Sequence, residues 1–330
     1  MNEEILEWSK VAVCIAFLAA LAVILGLVAG NQYLGVSRDY QNYLEFFELV
    51  RSGDGLLDIE TRFEFGFAAL VYWLVRLGLG NVAIYGVICA ICVMIKGFAI
   101  RMSELSIGLI AILLFFYLSR YFILFEMTVL RASVAFAIIF FVFWRKRDFD
   151  FHLDEFVLLL IAVGFHYSAV VVLAVYFLGR LKPSGVILLV LLIFLFGVLA
   201  KDLLFVEFQA IFPVLSSYQE LDARATTLPI PFMLDIVLVV VAVYLWDESD
   251  VAMKYSVIGL LLSIAIHFSM LELPIIAARF RELLSVFVLI YIARASLSAS
   301  PWMRGMAIGF ALLSGVLNFY AMTVYDPLLL

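Results

Sequence analysis

Long runs of apolar residues separated by short polar turns dominate the chain, and none of the runs alternates with period two. The apolar segments fall near residues 11–30, 64–79, 81–100, 105–119, 121–144, 156–178, 185–200, 230–246, 252–271, 281–299 and 303–323. Lipid offers no hydrogen-bond partners, so a spanning segment must be a helix or part of a closed barrel. Unbroken apolar runs without alternation select helices. The expected fold is all-α, a polytopic membrane helix bundle of about 9–11 transmembrane segments, each needing roughly 20 apolar residues. It forms a single integral membrane domain over residues 1–330, with no composition shift to mark a soluble domain and no internal repeat. Two polar connections are long, residues 31–63 and residues 201–229. Within the first, residues 38–50 predict an amphipathic helix on the membrane surface, with Tyr40, Tyr43, Leu44 and Phe47 on one face.

Composition agrees with that pattern and excludes other classes. Of 330 residues, 66% are hydrophobic and 15% charged, with 31 Phe, more apolar surface than soluble cores of this size can hide. The net charge of −6 supplies no basic patch, which argues against nucleic acid as a partner. Residues 1–10 lack a basic region and a small-residue cleavage site, so residues 11–30 read as a retained helix rather than a cleaved signal. Cys14, Cys89 and Cys92 all lie in apolar runs; Cys89-x-x-Cys92 has no second pair or nearby His, so it reads as buried thiols rather than a metal site. Orientation is less regular. With a cytoplasmic N-terminus and every segment crossing, Lys96, Arg101 and the cluster Arg145-Lys146-Arg147 fall on the wrong side for the positive-inside rule. Either an outside N-terminus or broken or re-entrant segments in the middle of the chain, such as 105–119 and 156–178, would restore it; the second is preferred, because broken helices are tolerated where they line a cavity.

Polar residues in such a chain are the candidates for chemistry. Asp39 follows the first helix in an acidic loop and stands at the base of the amphipathic helix, where a carboxylate can act as general base. Glu64 opens the next helix, where the helix dipole alone explains it; Gly66 allows close approach of another backbone or a ligand. Arg131 and His166 lie in or at the ends of apolar segments, and an ionisable residue there costs about 2.5–3.5 kcal/mol on insertion scales. His267 is similarly placed with only Ser263 and Ser269 nearby, while His152 reads as a loop residue. Arg224, Arg279 and Arg281 add guanidinium groups from separate parts of the chain, a side chain whose planar fork suits phosphate oxygens. Gly26-x-x-x-Gly30 reads as a helix-packing seam.

Four motifs in order carry a resemblance. Arg38-Asp39-Tyr40-Gln41-Asn42-Tyr43, Glu64-Phe65-Gly66-Phe67, Leu130-Arg131-Ala132-Ser133-Val134-Ala135 and Phe165-His166-Tyr167-Ser168-Ala169 resemble the EpsG family of Wzy-like polysaccharide polymerases. The likeness is closest over residues 30–180. It departs at Phe65, where the family often has proline, and at Ala132, where it often has glutamine.

The resemblance implies a membrane glycosyltransferase that polymerises undecaprenyl-diphosphate-linked repeat units into O-antigen, capsular polysaccharide or exopolysaccharide. It would work in the bacterial inner membrane with its site on the extracytoplasmic face. It also implies a layout like GT-C-type glycosyltransferases, with a catalytic acid in the first extracytoplasmic loop, and partners such as a flippase and a chain-length regulator. On that reading Asp39 is the base, with His166 or Glu64 as the alternative. Arg38, Tyr43, Arg131, Ser168, Arg224, Arg279 and Arg281 contact substrate or its diphosphate. No soluble cofactor is required, and no ligand spacing demands a divalent metal. The competing readings are a transporter or flippase of lipid-linked saccharide, which would often show two related halves, and a non-catalytic subunit of a synthase.

Overall fold

The computed structural model describes residues 3–53, 55–56, 61, 63–100, 105–199, 229–245, 250–271, 273–325 and 327–329. They form helices, with a single isolated antiparallel bridge between Ser37 and Leu329 among the described residues. Among the described residues, five helices are long and apolar enough to cross a membrane: Trp8–Gly30, Asn81–Ile100, Ile107–Thr128, Val251–Ser269 and Pro301–Tyr325. Phe65–Arg76, Tyr167–Leu178, Pro183–Leu199 and Ile230–Tyr244 are shorter apolar helices. The protein is a polytopic helical bundle. The chain groups into two compact units: Met1–Arg145 with Val157–Tyr167 and Ile308–Leu330, and Lys146–Phe156 with Ser168–Ala307.

In the first unit, α1 (Glu3–Gly30) packs along α4 (Asn81–Ile100). A Cβ on Gly26 would sit 2.5 Å from the Gly86 carbonyl oxygen, and one on Gly30 would sit 2.5 Å from that of Val82. The seam expected of this glycine pair is therefore a backbone-to-backbone contact, the close packing that associates helices in lipid. After α1, Gln32 adopts φ 54° and its side chain ties the turn together, donating to the Ala29 carbonyl and accepting from the Ser37 N–H at 2.7 Å. The Arg38 N–H donates to the Leu328 carbonyl, so the C-terminal segment pins the start of the first polar loop.

Helix α2 (Tyr40–Ser52) is amphipathic as expected, but its buried face is Tyr43, Phe46, Phe47 and Val50. Tyr40 and Leu44, expected on that face, are half-buried. The buried stripe follows the aromatic rings that pack against Phe63 and Phe67, at and just before the start of α3 (Phe65–Arg76).

The next boundary departs from the hydropathy pattern. Residues 105–119 are not broken: α5 (Ile107–Tyr117) runs on through a π-helical stretch, Leu118–Thr128, and the break falls at Val129. The chain near Arg120 looks like a turn in sequence, yet Ser119 and Arg120 are buried inside the protein, as is Glu126. The wide helix closes with Val129 N–H donating to the Leu124 carbonyl and the Thr128 hydroxyl donating to the Ile123 carbonyl at 2.9 Å. Helix α6 (Leu130–Arg145) follows and packs on α4.

The segment 156–178 does break, at His166. Helix α7 (Leu153–Phe165) ends there, a 3-10 turn covers Tyr167–Ala169, and α8 (Val170–Leu178) resumes.

In the second unit, α9 (Pro183–Leu199) is followed in the described chain by α10 (Ile230–Tyr244) and α11 (Val251–Ser269). Most of α11 is buried, against α9 and the later helices α12 (Pro274–Leu284) and α13 (Val286–Ser296). The apolar segment near 281–299 is thus two helices divided at Ser285, the first starting before the apolar run. Lys146, read as part of a cytoplasmic basic cluster, is buried and paired to Glu155 at 2.5 Å. Helix α14 (Pro301–Tyr320), which belongs to the first unit from Ile308 onward, ends in a π turn at Ala321–Tyr325.

Candidate active site

The site is built at three helix ends of the first unit. Glu64 precedes α3 in extended conformation (φ −63°, ψ 144°) and makes no side-chain cap to its own helix. Its carboxylate, with 2% of the side chain exposed, turns instead to two other elements. Oε2 accepts from Nη1 of Arg131, in the first turn of α6, at 2.7 Å. Oε1 lies 3.2 Å from Nδ1 of His166, just beyond the end of α7, and accepts from the Tyr167 N–H at 3.4 Å. The helix dipole, a sufficient explanation from sequence, is therefore not the carboxylate's main partner.

Gly66 makes this convergence possible. A Cβ there would come within 2.7 Å of the Gly164 carbonyl oxygen, so the start of α3 and the end of α7 touch backbone to backbone. The break at His166 does the rest. Leaving the helix frees the Tyr167 N–H from any helical acceptor, and Glu64 accepts it.

Burial alone would raise the Glu64 carboxyl. The hydrogen bond from His166 and the charge of Arg131 outweigh it and hold the group down at about 2. An ionised carboxylate only accepts, so the proton between the two groups sits on His166 Nδ1, the tautomer that places the basic lone pair on Nε2. Arg131 uses one of its donors on Glu64 and lies 5.4 Å from the centroid of the Phe63 ring.

Tyr43 joins the constellation from α2. It is buried among Phe47, Phe63, Phe67 and Tyr85, and its hydroxyl oxygen accepts from the Arg131 backbone N–H at 3.5 Å. Burial pushes its phenol well above the usual range, so it stays protonated. Asp39, the residue before α2, is half-buried, leaves its side chain out of any cap, and its charge is felt at both Tyr43 and Arg131. Arg38 is exposed beside it.

The remaining predicted residues fall elsewhere. Ser168 is half-buried in the 3-10 turn after His166. Arg279 and Arg281 belong to the second unit and lie inside α12. Arg281 is buried, 5.5 Å from the Phe232 ring centroid, and the His267 ring packs on the same Phe232 at 3.9 Å. Arg224, with the rest of residues 200–228, lies outside the described residues. His152 is an exposed loop residue as read, paired with Asp148 at 2.9 Å. Among the described residues no group of three or more His, Cys, Asp or Glu is placed to hold a metal ion.

Sequence reasoning passed over one buried charge pair. Lys96 of α4 is paired with Glu126 of the π-helical stretch, and the Ser133 hydroxyl of α6 donates to the same Glu126 oxygen at 2.8 Å. The signal was available: a Lys and a Glu, each among apolar neighbours at helical depth.

The four motifs singled out in sequence thus converge in part: Glu64, Arg131 and His166 touch, with Tyr43 against Arg131. Compared with family models, residues 15–327 match the EpsG family. The chain belongs to the EpsG family. That family is one of Wzy-like polysaccharide polymerases, so this EpsG-family chain is a polysaccharide polymerase-like membrane protein. No curated protein and no solved structure matches it.

Proposed function

We propose that this protein is a membrane glycosyltransferase that polymerises undecaprenyl-diphosphate-linked repeat units into O-antigen, capsular polysaccharide or exopolysaccharide. The growing chain passes from its lipid carrier to a hydroxyl of the next lipid-linked unit. The observation that carries this reading is the buried Glu64 carboxylate held between Arg131 and His166.

Glycosyl transfer needs a base for the acceptor hydroxyl and positive charge for the departing diphosphate. His166 is the base: Nε2 takes the acceptor proton as the new C–O bond forms, and Glu64 stabilises the imidazolium through Nδ1. Glu64 is the positioning residue, since both its oxygens are engaged and its low proton affinity makes it a poor base. Arg131 binds the diphosphate through the donors that Glu64 does not use. Asp39 is the second carboxylate of the site and the alternative base, because its side chain caps no backbone group.

An apolar groove of about 940 Å³ between α1 and α4, walled by Val23, Leu27, Val82 and Val87, takes part of the polyprenyl tail. The protein works in the bacterial inner membrane with this site on the extracytoplasmic face, in a GT-C-like layout with α2 on the membrane surface. It is supplied by a flippase and tuned by a chain-length regulator.

The test is complementation of a strain lacking the gene, read as the polymer-length ladder. His166→Gln is expected to insert normally and leave single repeat units, and Asp39→Asn to shorten the ladder without erasing it. Full-length polymer from His166→Gln rules out His166 as the base. Loss of polymer from Asp39→Asn alone transfers that role to Asp39.

A further inference from the structure

Arg131 sits at the second position of α6, immediately after an eleven-residue π-helical stretch. π geometry is rare and poorly bonded, and a stretch this long needs tertiary contacts to hold it. Those contacts are present on one side. Glu126, fully buried, accepts on a single oxygen from Lys96 of α4 and from the Ser133 hydroxyl of α6 at 2.8 Å. The Tyr85 hydroxyl, also from α4, donates to the Met127 carbonyl at 2.6 Å. Lys96, Glu126 and Ser133 are 4%, 0% and 0% exposed, so no solvent competes for these bonds.

Ser133 is two residues beyond Arg131. On a helix with 3.6 residues per turn, that places their side chains about 200° apart, on opposite sides of the first turn. One side of the turn is therefore fastened to Glu126 and Lys96, while the other presents Arg131 to Glu64. Rotation or sliding of α6 would break the Ser133–Glu126 bond and withdraw the guanidinium from the carboxylate together.

We propose that Lys96, Glu126 and Ser133 are positioning residues for Arg131: through Glu126 they set the rotation of α6 that aims the guanidinium at the diphosphate site. The inference rests on the reading that Arg131 holds the lipid diphosphate. It adds to that reading a network, remote from the substrate, on which donor affinity depends. Single removal of either charge would bury its partner unpaired, so the informative variants remove both. Lys96→Met/Glu126→Gln, the amide double variant, keeps a neutral acceptor for Ser133. Lys96→Met/Glu126→Leu, the apolar double variant, deletes it, and replacing a buried ion pair by apolar side chains of similar volume often leaves stability unchanged.

The full-length protein in lipid nanodiscs is measured for melting temperature and for binding of undecaprenyl diphosphate. The apolar double variant is expected to melt as the wild type does but to bind about 10–100-fold more weakly, the loss of one charge-assisted hydrogen bond to the diphosphate. The amide double variant is expected to recover wild-type binding. Wild-type affinity in the apolar double variant overturns the proposal, as does equal weakening in both. If the apolar double variant does not insert, Ser133→Ala carries the same test: its affinity must fall without a matching fall in melting temperature, and wild-type binding overturns the proposal. Arg131→Ala is measured alongside. Unchanged binding there removes Arg131 from the diphosphate site, whereas lost binding there with wild-type binding in the apolar double variant overturns only the positioning network.

Discussion

Replacing Glu64 by Gln changes almost nothing in size and tests the whole constellation. The carboxylate now accepts from Arg131 Nη1 at 2.7 Å, faces His166 Nδ1 at 3.2 Å and accepts from the Tyr167 N–H at 3.4 Å. An amide has one acceptor oxygen and one NH2 group, so it cannot serve donors on both sides. If the oxygen faces Arg131, the NH2 meets His166 Nδ1, which must give up its proton to accept; the proton then moves to Nε2 and the base is lost. If the oxygen faces His166, the NH2 meets a guanidinium, and the cation loses a charge-assisted hydrogen bond of about 1.5–3 kcal/mol. The first orientation costs the acceptor hydroxyl its general base, about 10²–10⁴-fold in rate, or about 3–5 kcal/mol on the barrier; the second keeps the tautomer but removes the negative charge that stabilises the imidazolium. Glu64→Ala goes further and strands the Arg131 side chain, 19% exposed, at about 3–5 kcal/mol of stability. The assay pairs the polymer-length ladder of a complemented deletion strain with the melting temperature of the purified protein in detergent. Glu64→Gln should leave a folded protein that melts somewhat earlier and makes no long polymer, and Glu64→Ala should melt earlier still. A wild-type ladder from Glu64→Gln would refute the assignment of Glu64 as the group that orients His166.

The close approach of α3 and α7 gives an independent check: Gly66→Val puts side-chain atoms where a Cβ already meets the Gly164 carbonyl at 2.7 Å. It should cost about 1–3 kcal/mol and separate Glu64 from His166, so that melting temperature and polymer fall together; an unaffected variant would contradict the contact. Acid sensitivity has a defined sign. Because the Glu64 carboxyl is lowered from 4.5 to about 2, its contribution to stability is complete above pH 4.5 and is lost as pH falls through about 2. The melting-temperature difference between wild type and Glu64→Gln should therefore shrink as pH falls from about 4.5 to about 2. A difference independent of pH across that window would mean that Glu64 carries no perturbed charge.

Much of this protein is legible in the chain itself. Apolar runs without alternation dictate membrane helices, because lipid leaves the backbone no partner but itself. The amphipathic helix after α1 and the Gly26–Gly30 seam also follow from spacing, and a break within 156–178 from the distribution of Lys and Arg. Glu64, Arg131 and His166 stood out because ionisable groups in an apolar chain are costly to bury. Boundaries were less legible. The chain near Arg120 reads as a turn by polarity but continues as a helix, since its charges are buried within the protein rather than exposed to solvent.

Residue type and position along the chain singled out the ionisable groups worth watching; pairing was decided only by the tertiary structure. Glu64 and His166 are 102 residues apart, and Glu64 and Arg131 are 67 apart. Nothing local distinguishes a carboxylate that caps its own helix from one that reaches across to two others. The difference lies in the glycine-to-backbone contact at Gly66 and Gly164 and in the rotation of α6, both properties of packed helices. Lys96 and Glu126 make the same point in reverse. Each alone is an expensive charge in an apolar run, and only the fold, by bringing α4, the π-helical stretch and α6 together, turns that cost into a fixed geometry.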